Sequence, residues 1–447
     1  MPAGGIFCRS QASADSFRIF GRENSVLDRR LIRDDPGRVV KGIKSKNAGV
    51  DIEKVIALDG ELLRNMKASD DLKHERNVKS EEVARKKRAG ENTDELHAYL
   101  KDLSRRIKDC EVRDKELEAE LDALLLTIPN IPHEGVPVGT DAAQNVVRRS
   151  WGEVKEPFFE IKPHWEIGEA LGILDLEAGR KVTGRGYIVF KRDGALLCRA
   201  LINMMLDVHS RQGYAEVLVP YLVNRESMVG TGQLPKLAED MYHCEVDDLF
   251  LIPTAEVPVT NLERDNFILP EDLPLRYTAY SPCFRREAGS HGADTRGLLR
   301  VHQFDKVEMV KIVHPDRSYD ELETLTADAC EILEALELPY RVVELCTGDL
   351  SFAAAKCYDL EVYAPGVGKW LEVSSCSNFE DFQARRMAIK LKKTTVEKSR
   401  FAHTLNGSGV ALPRTVAAIL EHHQTPTGRV RIPAKLVPYM HGKEFLG

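Results

Sequence analysis

The sequence predicts an α+β protein in which an antiparallel sheet flanked by helices follows an antiparallel helical coiled-coil arm. Three observations support this prediction. Residues 51–126 contain no proline and are dense in charge, the composition changes near residue 135, and strand-like runs separated by helical segments then continue to the end of the chain. We therefore expect an extension in residues 1–25, an arm in residues 26–135 and a globular domain in residues 136–447.

The extension differs in composition from the rest of the chain. It carries Arg9, Arg18, Arg22 and several serines, and its only acids are Asp15 and Glu23. This composition is weakly typical of a transit peptide. A disordered tail, or a start site assigned too far upstream, is the simpler explanation. We therefore expect a cytoplasmic protein, with an organellar location as the alternative.

The arm is predicted to be two long helices joined by a turn at residues 89–93. In the second helix the spacing of apolar residues alternates between four and three, which is the seam of a coiled coil with one polar exception at Asp114. The seam residues are Leu96, Leu100, Leu103, Ile107, Cys110, Asp114, Leu117, Leu121 and Leu124. An antiparallel first helix is the simplest partner for this seam. Thr93 is the expected N-cap, and Pro129 and Pro132 end the helix.

Basic residues concentrate at the distal end of the arm, just before the turn. They include Arg76, Lys79, Arg85, Lys86, Lys87 and Arg88. An exposed cationic arm suits a nucleic-acid phosphate backbone. The alternative is a solvated helix face in which Glu81 and Glu82 form i,i+4 ion pairs with these residues. The arm alone leaves both interpretations open.

The composition excludes several classes of protein. With 43% hydrophobic and 30% charged residues among 447, the chain can bury a core and cover it with charge, which excludes global disorder and a fibrous protein. The 63 basic and 70 acidic residues give a net charge of -7, so a polyanion would need a local basic patch. Nine scattered cysteines without a Cys-x-x-Cys pair indicate reduced thiols. No apolar run reaches the roughly 18 residues that cross a bilayer, so no membrane partner is expected.

The globular domain contains strand-like runs and none of the common nucleotide or zinc motifs. The runs are residues 187–190, 215–219, 300–304 and 306–310. The chain has no Walker phosphate loop, no dinucleotide glycine fingerprint and no HExxH. A nucleotide, if one binds, must therefore be bound by a site of another type.

The first candidate nucleotide-binding segment surrounds a glycine-rich loop at residues 289–297. Arg285 and Glu287 precede this loop and are two residues apart, so on a strand they would share one face. Arg285 can then bind a phosphate while Glu287 accepts a hydrogen bond from a base amine. Phe304, on the return strand, could stack on the base.

Two later stretches add metal and phosphate chemistry. Glu372 and Ser374 are expected to share a strand face, and a carboxylate with a hydroxyl offers hard oxygen ligands to Mg²⁺. Arg414 follows a glycine-containing strand and turn and enters at the start of a helix. Taken singly, each of these residues is more simply a surface ion-pair partner, a sheet-edge charge or, for Phe304, core.

Together the stretches closely resemble the bacterial-type seryl-tRNA synthetases, which are class II aminoacyl-tRNA synthetases. The resemblance runs from about residue 26 to 447 and includes the arm. Its signatures are residues 231–236 (TGQLPK), residues 254–256 (TAE), residues 283–308 and residues 404–414.

The resemblance implies a class II catalytic domain in residues 136–447 and a tRNA-binding arm in residues 26–135. It implies a serine–tRNA ligase that uses ATP and Mg²⁺ to form seryl-adenylate from L-serine and then charges tRNA(Ser), and also tRNA(Sec). Residues 198–223 look like the first class motif, which implies a homodimer. Two rival hypotheses are an amino-acid-activating paralogue that loads a carrier protein and a non-catalytic synthetase-like binding protein.

The resemblance also implies site residues. Arg285 would contact the α-phosphate, Glu287 the adenine and Arg414 the γ-phosphate, and Phe304 would stack on the adenine. Arg285, Glu372 and Arg414 form the expected catalytic machinery. Glu372 and Ser375 would hold the metal. The implied ATP-binding set is Arg285, Arg286, Glu287, Val301, Phe304, Glu372, Val373, Ser374, Ser375 and Arg414. The implied serine-binding set is Thr254, Ala255, Glu256, Glu308 and Ser408.

Two departures from the family pattern touch none of the presumed reacting groups. The chain has Arg185, Gly186 and Tyr187 where the family often has Ser-Arg-Phe, and Pro413 where glycine is common. A proline suits the first turn of a helix, so the second departure is compatible with a helix start at Arg414.

Overall fold

The computed structural model describes residues 27–154, 158–288, 296–392 and 398–447. These residues form two compact units. The first contains the described residues up to Val40 together with Gly49–Ile128, and the second contains Lys41–Ala48 and Pro129–Gly447. The predicted extension and most of the glycine-rich loop lie outside the described residues.

The N-terminal part of the chain is helical. Its helices are α1 (Arg29–Asp34), α2 (Pro36–Ser45), α3 (Ile52–Arg88) and α4 (Asp94–Leu125). The two longest helices, α3 and α4, pack against each other, as the sequence predicts for the arm. Asp51 caps α3 by accepting a hydrogen bond from the Lys54 N–H at 3.0 Å.

The coiled-coil seam of α4 is buried in its central and C-terminal parts, at Leu103, Ile107, Leu117 and Leu121, whereas Leu96, Leu100 and Cys110 are half-buried. The polar exception, Asp114, accepts a hydrogen bond at 2.8 Å from the amide of Asn65, which explains why an acid is tolerated there. At the C-terminal end Leu125 is buried instead of Leu124, because a straight helix of 3.6 residues per turn drifts from a 3.5-residue repeat.

The predicted side-chain cap at the start of α4 is wrong. Thr93 occupies the N-cap position but makes no side-chain hydrogen bond there. The preceding Asn92 accepts from the Asp94 N–H at 2.7 Å instead. The amide oxygen therefore satisfies one of the free N–H groups of the first turn.

The second unit has helices on a large sheet. Its helices are α5 (His164–Ala170), α6 (Leu176–Val182), α7 (Asp193–Arg211), α8 (Arg225–Gly230), α9 (Glu256–Thr260), α10 (Ser318–Ala335), α11 (Phe382–Arg386) and α12 (Leu412–His422). Its strands, in chain order from β1 to β18, are Val146–Trp151, Leu174–Asp175, Val189–Phe190, Ala215–Glu216, Leu222–Asn224, His243–Cys244, Leu249–Leu251, Phe267–Ile268, Leu275–Phe284, Gln303–Val313, Tyr340–Glu344, Lys356–Ala364, Lys369–Asn378, Lys390–Leu391, Arg400–Phe401, His403–Ala411, Val430–Arg431 and Phe445–Leu446.

Eight strands form the main sheet in the order β1-β11-β12-β13-β16-β10-β9-β4. All neighbours are antiparallel except β4 and β9. The two runs predicted at residues 300–304 and 306–310 are parts of one strand, β10, which begins at Gln303. The run at residues 215–219 is a strand only over its first two residues, and that at 187–190 only over its last two.

The alternation along β10 separates the core from the opposite face of the sheet. Val307, Met309 and Val313 point into the main hydrophobic core, where α7, α10 and α12 pack on the sheet. Phe304 and Lys306 have the opposite parity and line a cavity. The fold therefore places helices and core on one side of β10 and a concave site on the other.

Membrane spans and disulfide bonds, neither of which the sequence predicts, can be examined in the part of the chain that the structure describes. None of its helices combines the length and the apolar character that a membrane crossing requires. Its eight cysteines are all free thiols, and Cys8 lies outside the described residues.

Candidate active site

A cavity of about 640 Å³ lies over β10, β13 and β16. Most of the site residues implied by the sequence line it. Those that do are Thr254, Glu256, Arg285, Glu287, Val301, Phe304, Glu372, Val373, Ser374, Ser375, Ser408 and Arg414. The cavity thus brings together residues that are up to 160 positions apart in the chain (414 minus 254).

Three implied residues do not line the cavity. Ala255 is buried in an apolar cluster with Val259 and Val310. The Arg286 guanidinium lies over the ring of Tyr242, and its Nε donates to a backbone carbonyl. Glu308 is buried immediately behind the cavity wall, where its partners line the cavity. Arg286 is therefore placed to support the wall of the site.

Arg285 and Glu287 reach the cavity by a different backbone path from the one predicted. Strand β9 ends at Phe284, and Glu287 has a left-handed backbone conformation with φ of 51°, so the argument from strand spacing is wrong. The Arg285 N–H still bonds the His302 carbonyl at 2.9 Å, which extends the ladder by one residue. The Arg285 guanidinium then lies 5.3 Å from the ring of Phe304.

A bulge in β13 determines which residues face the cavity together. Val373 is an extra residue opposite β12, so the alternation of side chains shifts at this point. The shift places Glu372 and Ser375 on the same face, and the expectation that Glu372 shares its face with Ser374 is wrong. The Ser374 hydroxyl instead donates to the backbone carbonyl of Ser408 at 2.6 Å.

Arg414 enters the cavity from the first turn of α12, where Pro413 precedes it as expected. Its Nη1 donates to the Glu372 carbonyl at 2.7 Å and lies 3.3 Å from the Glu372 carboxylate. Its Nε donates to the Leu299 carbonyl at 3.2 Å. These bonds fix a guanidinium beside the carboxylate of β13.

The polar end of the cavity contains two buried carboxylates that share one amide. Asn406 donates to Glu256 at 2.8 Å and to Glu308 at 3.0 Å. Gln383 donates to the other oxygen of Glu256 at 2.6 Å. Burial, and then the negative charge of Glu308, raise the pKa of Glu256 to about 7. Because the amide partners of Glu256 are neutral, this carboxylate can receive a cation when it is ionised.

Lys306 is the one cation within this buried cluster among the described residues. Its ammonium donates to the Thr254 hydroxyl at 2.9 Å and forms an ion pair with Glu308. Thr254 in turn lies 3.2 Å from the Glu308 carboxylate. A bulge at Gly409 in β16 places Ser408 directly opposite Glu308 in the sheet.

Comparison with known proteins decides the family. Residues 26–132 match the model of the seryl-tRNA synthetase N-terminal domain, and residues 242–423 match the tRNA synthetase class II core domain (G, H, P, S and T). The serine–tRNA ligase of Carboxydothermus hydrogenoformans is 52% identical over 93% of this chain and 98% of its own length. The chain belongs to the seryl-tRNA synthetase family.

Solved structures of the family have the same fold. Seryl-tRNA synthetase from Pyrococcus horikoshii, complexed with ATP, has a TM-score of 0.89 and 37% identity over 94% of this chain and 99% of that chain. The cytoplasmic enzyme from Naegleria fowleri, in complex with AMP, has a TM-score of 0.83 and 32% identity over 92% of this chain and 95% of that chain. The predicted family, fold class and enzyme class, an aminoacyl-tRNA ligase, are confirmed.

Sequence reasoning missed three residues of the buried cluster. Lys306 could have been predicted from the sequence, because residues 304, 306 and 308 of one strand share a face. Asn406 could have been predicted in the same way, because it lies two residues before Ser408 on β16 and therefore shares its strand face. Gln383 had no signal, since it lies on the five-residue helix α11, which no periodic pattern indicates.

The basic residues of the arm divide into two groups. Lys79 and Lys86 pair with Glu82 at 2.8 and 3.7 Å, as the ion-pair interpretation expects. The others have no carboxylate within 4 Å in the described parts of the chain. These are Arg76, Arg85, Lys87 and Arg88, and the last three are exposed. A cationic surface therefore remains after the ion pairs are formed.

The donor set at β13 fits a metal that arrives with a nucleotide. Glu372 has 46% of its side chain exposed and shares a face with the Ser375 hydroxyl, so both offer hard oxygens to the cavity. Within the described ranges no group of three His, Cys, Asp or Glu residues could hold a metal by itself. Mg²⁺ commonly binds through one or two protein ligands together with substrate phosphates.

Proposed function

We propose that this chain joins L-serine to tRNA(Ser) in two steps, with ATP as the activating substrate. Serine and ATP first give seryl-adenylate and pyrophosphate. A hydroxyl of the terminal ribose of the tRNA then takes the seryl group, and AMP leaves as the acyl–phosphate bond breaks. The observation that carries the proposal is that Arg285, Glu372 and Arg414 line one cavity whose other end is a buried carboxylate pair. The relatives named serine–tRNA ligase, and the ATP and AMP complexes of related structures, support it.

The first step requires placement and charge neutralisation more than proton transfer. The serine carboxylate is already ionised near neutral pH, so no protein base is needed to make it a nucleophile. Its oxygen attacks the α-phosphorus in line, and the bond to the departing pyrophosphate breaks. Arg285 would neutralise the α-phosphate and Arg414 the γ-phosphate, where negative charge accumulates.

Mg²⁺ would be held by Glu372 and Ser375 and would neutralise phosphate charge when bound. Phe304 offers an aromatic face to the adenine, and Glu287 offers a carboxylate to its amine. Because the guanidinium of Arg285 lies over Phe304, one residue pair is placed to hold both the base and the phosphate.

Serine recognition is assigned to the polar end of the cavity. The substrate ammonium would be received by Glu256 and Glu308, and its hydroxyl by the polar groups at Thr254 and Ser408. A pocket with buried polar groups rejects alanine, because alanine leaves them unpaired. Threonine would be excluded by size.

The arm is assigned to tRNA binding. Its exposed cations would contact the phosphate backbone, recognising shape more than base sequence. Charging of tRNA(Sec), as the resemblance implies, stays a prediction.

Several expectations about organisation remain proposals of the same kind. We propose the division between arm and catalytic domain near residue 135, a cytoplasmic location and a homodimer through residues 198–223. Leu218, Tyr221 and Leu222, within that range, are all exposed large apolar residues, and such a group supports an interface there.

A pyrophosphate-exchange panel tests the proposal. We expect exchange with L-serine only, among L-serine, L-alanine and L-threonine, and transfer to tRNA(Ser) in a second assay. A carrier-protein-loading paralogue would exchange pyrophosphate without charging tRNA. A non-catalytic binding protein would do neither, and either result would contradict the proposal.

A further inference from the structure

A histidine and a glutamate form a buried pair outside the lining of the cavity. His164, at the start of α5, and Glu421, on α12, both have side chains with 0% exposure. The His164 Nδ1 lies 2.7 Å from Glu421 Oε1, and the His164 backbone N–H donates to the same oxygen at 3.0 Å. The other oxygen accepts from the backbone N–H groups of Gly366 and Val367 at 2.8 and 3.2 Å. Every acceptor position of the carboxylate is therefore used.

The second nitrogen of the imidazole bonds the backbone of Leu298, a residue that lines the cavity. His164 Nε2 accepts a hydrogen bond from the Leu298 N–H at 3.0 Å. Because an amide N–H can only donate, Nε2 carries no proton, and the ring proton resides on Nδ1 facing Glu421. A Cβ on Gly297, whose φ is +71°, would lie 2.3 Å from Nε2, so the ring packs directly against this backbone.

The held backbone is connected to Arg414. Leu298 and Leu299 both line the cavity, and the Leu299 carbonyl accepts from the Arg414 Nε at 3.2 Å. Arg414 and Glu421 lie on the same helix, seven residues apart. The imidazole therefore closes a loop of hydrogen bonds that begins and ends on α12.

We infer that His164, held by Glu421 with its proton on Nδ1, is a positioning residue that fixes Leu298 and Leu299 and thereby orients the guanidinium of Arg414. The inference rests on the proposed role of Arg414 at the γ-phosphate. It makes ATP binding, but not AMP binding, depend on a histidine that touches neither nucleotide, because AMP has no γ-phosphate.

The test compares the dissociation constants of ATP and AMP, measured by calorimetry with Mg²⁺, for the full chain and its variants. His164→Leu removes the acceptor for the Leu298 N–H, and we expect ATP binding to weaken about tenfold or more while AMP binding stays within twofold. His164→Gln keeps an acceptor oxygen near the position of Nε2, and it should restore most of the ATP affinity.

His423→Leu is the matched control. His423 is also buried and follows α12 directly, but its Nε2 contacts the Leu336 carbonyl, away from the cavity. We expect this variant to lower Tm without changing the ratio of ATP to AMP affinity. Equal loss of ATP and AMP affinity in His164→Leu, or an unchanged ratio, would overturn the inference.

A measurement on the unaltered protein avoids dependence on variants that fail to fold. Nitrogen-15 NMR of histidine-labelled protein should show His164 with its proton on Nδ1, and a proton on Nε2 would overturn the inference. A protein that prefers ATP over AMP but does not activate serine would contradict the proposed function and leave the inference standing. A protein with no such preference would remove the role of Arg414 and the inference with it.

Discussion

Replacing Asn406 by alanine removes the one amide that bridges the two buried carboxylates of the cavity. The side chain donates to Glu256 at 2.8 Å and to Glu308 at 3.0 Å, and all three residues are buried. Without it, the two carboxylates face each other with one fewer donor each. The serine ammonium would then enter a pocket whose acceptors are no longer held apart in a fixed geometry.

The expected magnitude follows from these two bonds. A hydrogen bond to a charged group contributes about 1.5 to 3 kcal/mol, so the loss of two is worth about 3 to 6 kcal/mol. Glu256 can recover part of this by taking up a proton, since its pKa is already raised to about 7. We therefore use the lower bound, about 3 kcal/mol, as the cost of restoring the two carboxylates to their receiving geometry when serine binds, which corresponds to a decrease of roughly 150-fold in kcat/KM for serine.

The assay is serine-dependent pyrophosphate exchange, with Asn378→Ala as the matched control. Asn378 is also a buried asparagine, but its amide donates to the Ser318 hydroxyl, and it does not line the cavity. We expect the control to lower Tm while kcat/KM stays within threefold of the parent. A kcat/KM for Asn406→Ala within threefold of the parent, or an equal loss in both variants, would refute the reasoning.

Three further predictions follow from the same geometry. Because the raised pKa of about 7 keeps Glu256 largely protonated at pH 6 and largely ionised at pH 8, the serine KM should fall about tenfold between these values; Glu256→Gln should remove this dependence, and an identical profile in the variant would exclude Glu256 as the titrating group. Arg285→Ala should depress the turnover of pyrophosphate exchange far more than it raises the serine KM, and unchanged exchange would remove Arg285 from the reaction. Changing Arg85, Lys86, Lys87 and Arg88 to glutamine should weaken tRNA charging and flatten its salt dependence while exchange stays constant; an equal loss in both half-reactions would contradict the arm assignment.

The sequence was most informative where a long periodic pattern or a distinctive motif existed. The two helices of the arm were predicted from charge, absence of proline and the seam, and the turn between them was placed correctly. The seam could not indicate that Asp114 is paired with Asn65, because that contact joins positions 49 residues apart. The convergence of Arg285, Glu372 and Arg414 was expected from the resemblance and agrees with the cavity.

The errors share a physical cause, which is local departure from ideal backbone geometry. The rule that alternate residues of a strand share a face fails at Glu287, where the backbone adopts a left-handed conformation. It fails again at Val373, where a bulge adds a residue. Neither departure has a strong sequence signal, since the positive φ falls on a glutamate and the bulge on a valine. Buried partners such as Gln383 and His164 could not be found either, because their roles depend on tertiary contacts across more than 100 residues.

A crystal structure with a non-hydrolysable sulfamoyl analogue of seryl-adenylate tests the central assignment most directly. We expect the adenine against Phe304, the sulfamoyl group within hydrogen-bond distance of Arg285, and the seryl ammonium between Glu256 and Glu308. An analogue bound outside this cavity, or inverted so that its ammonium lies near Arg414, would contradict the account.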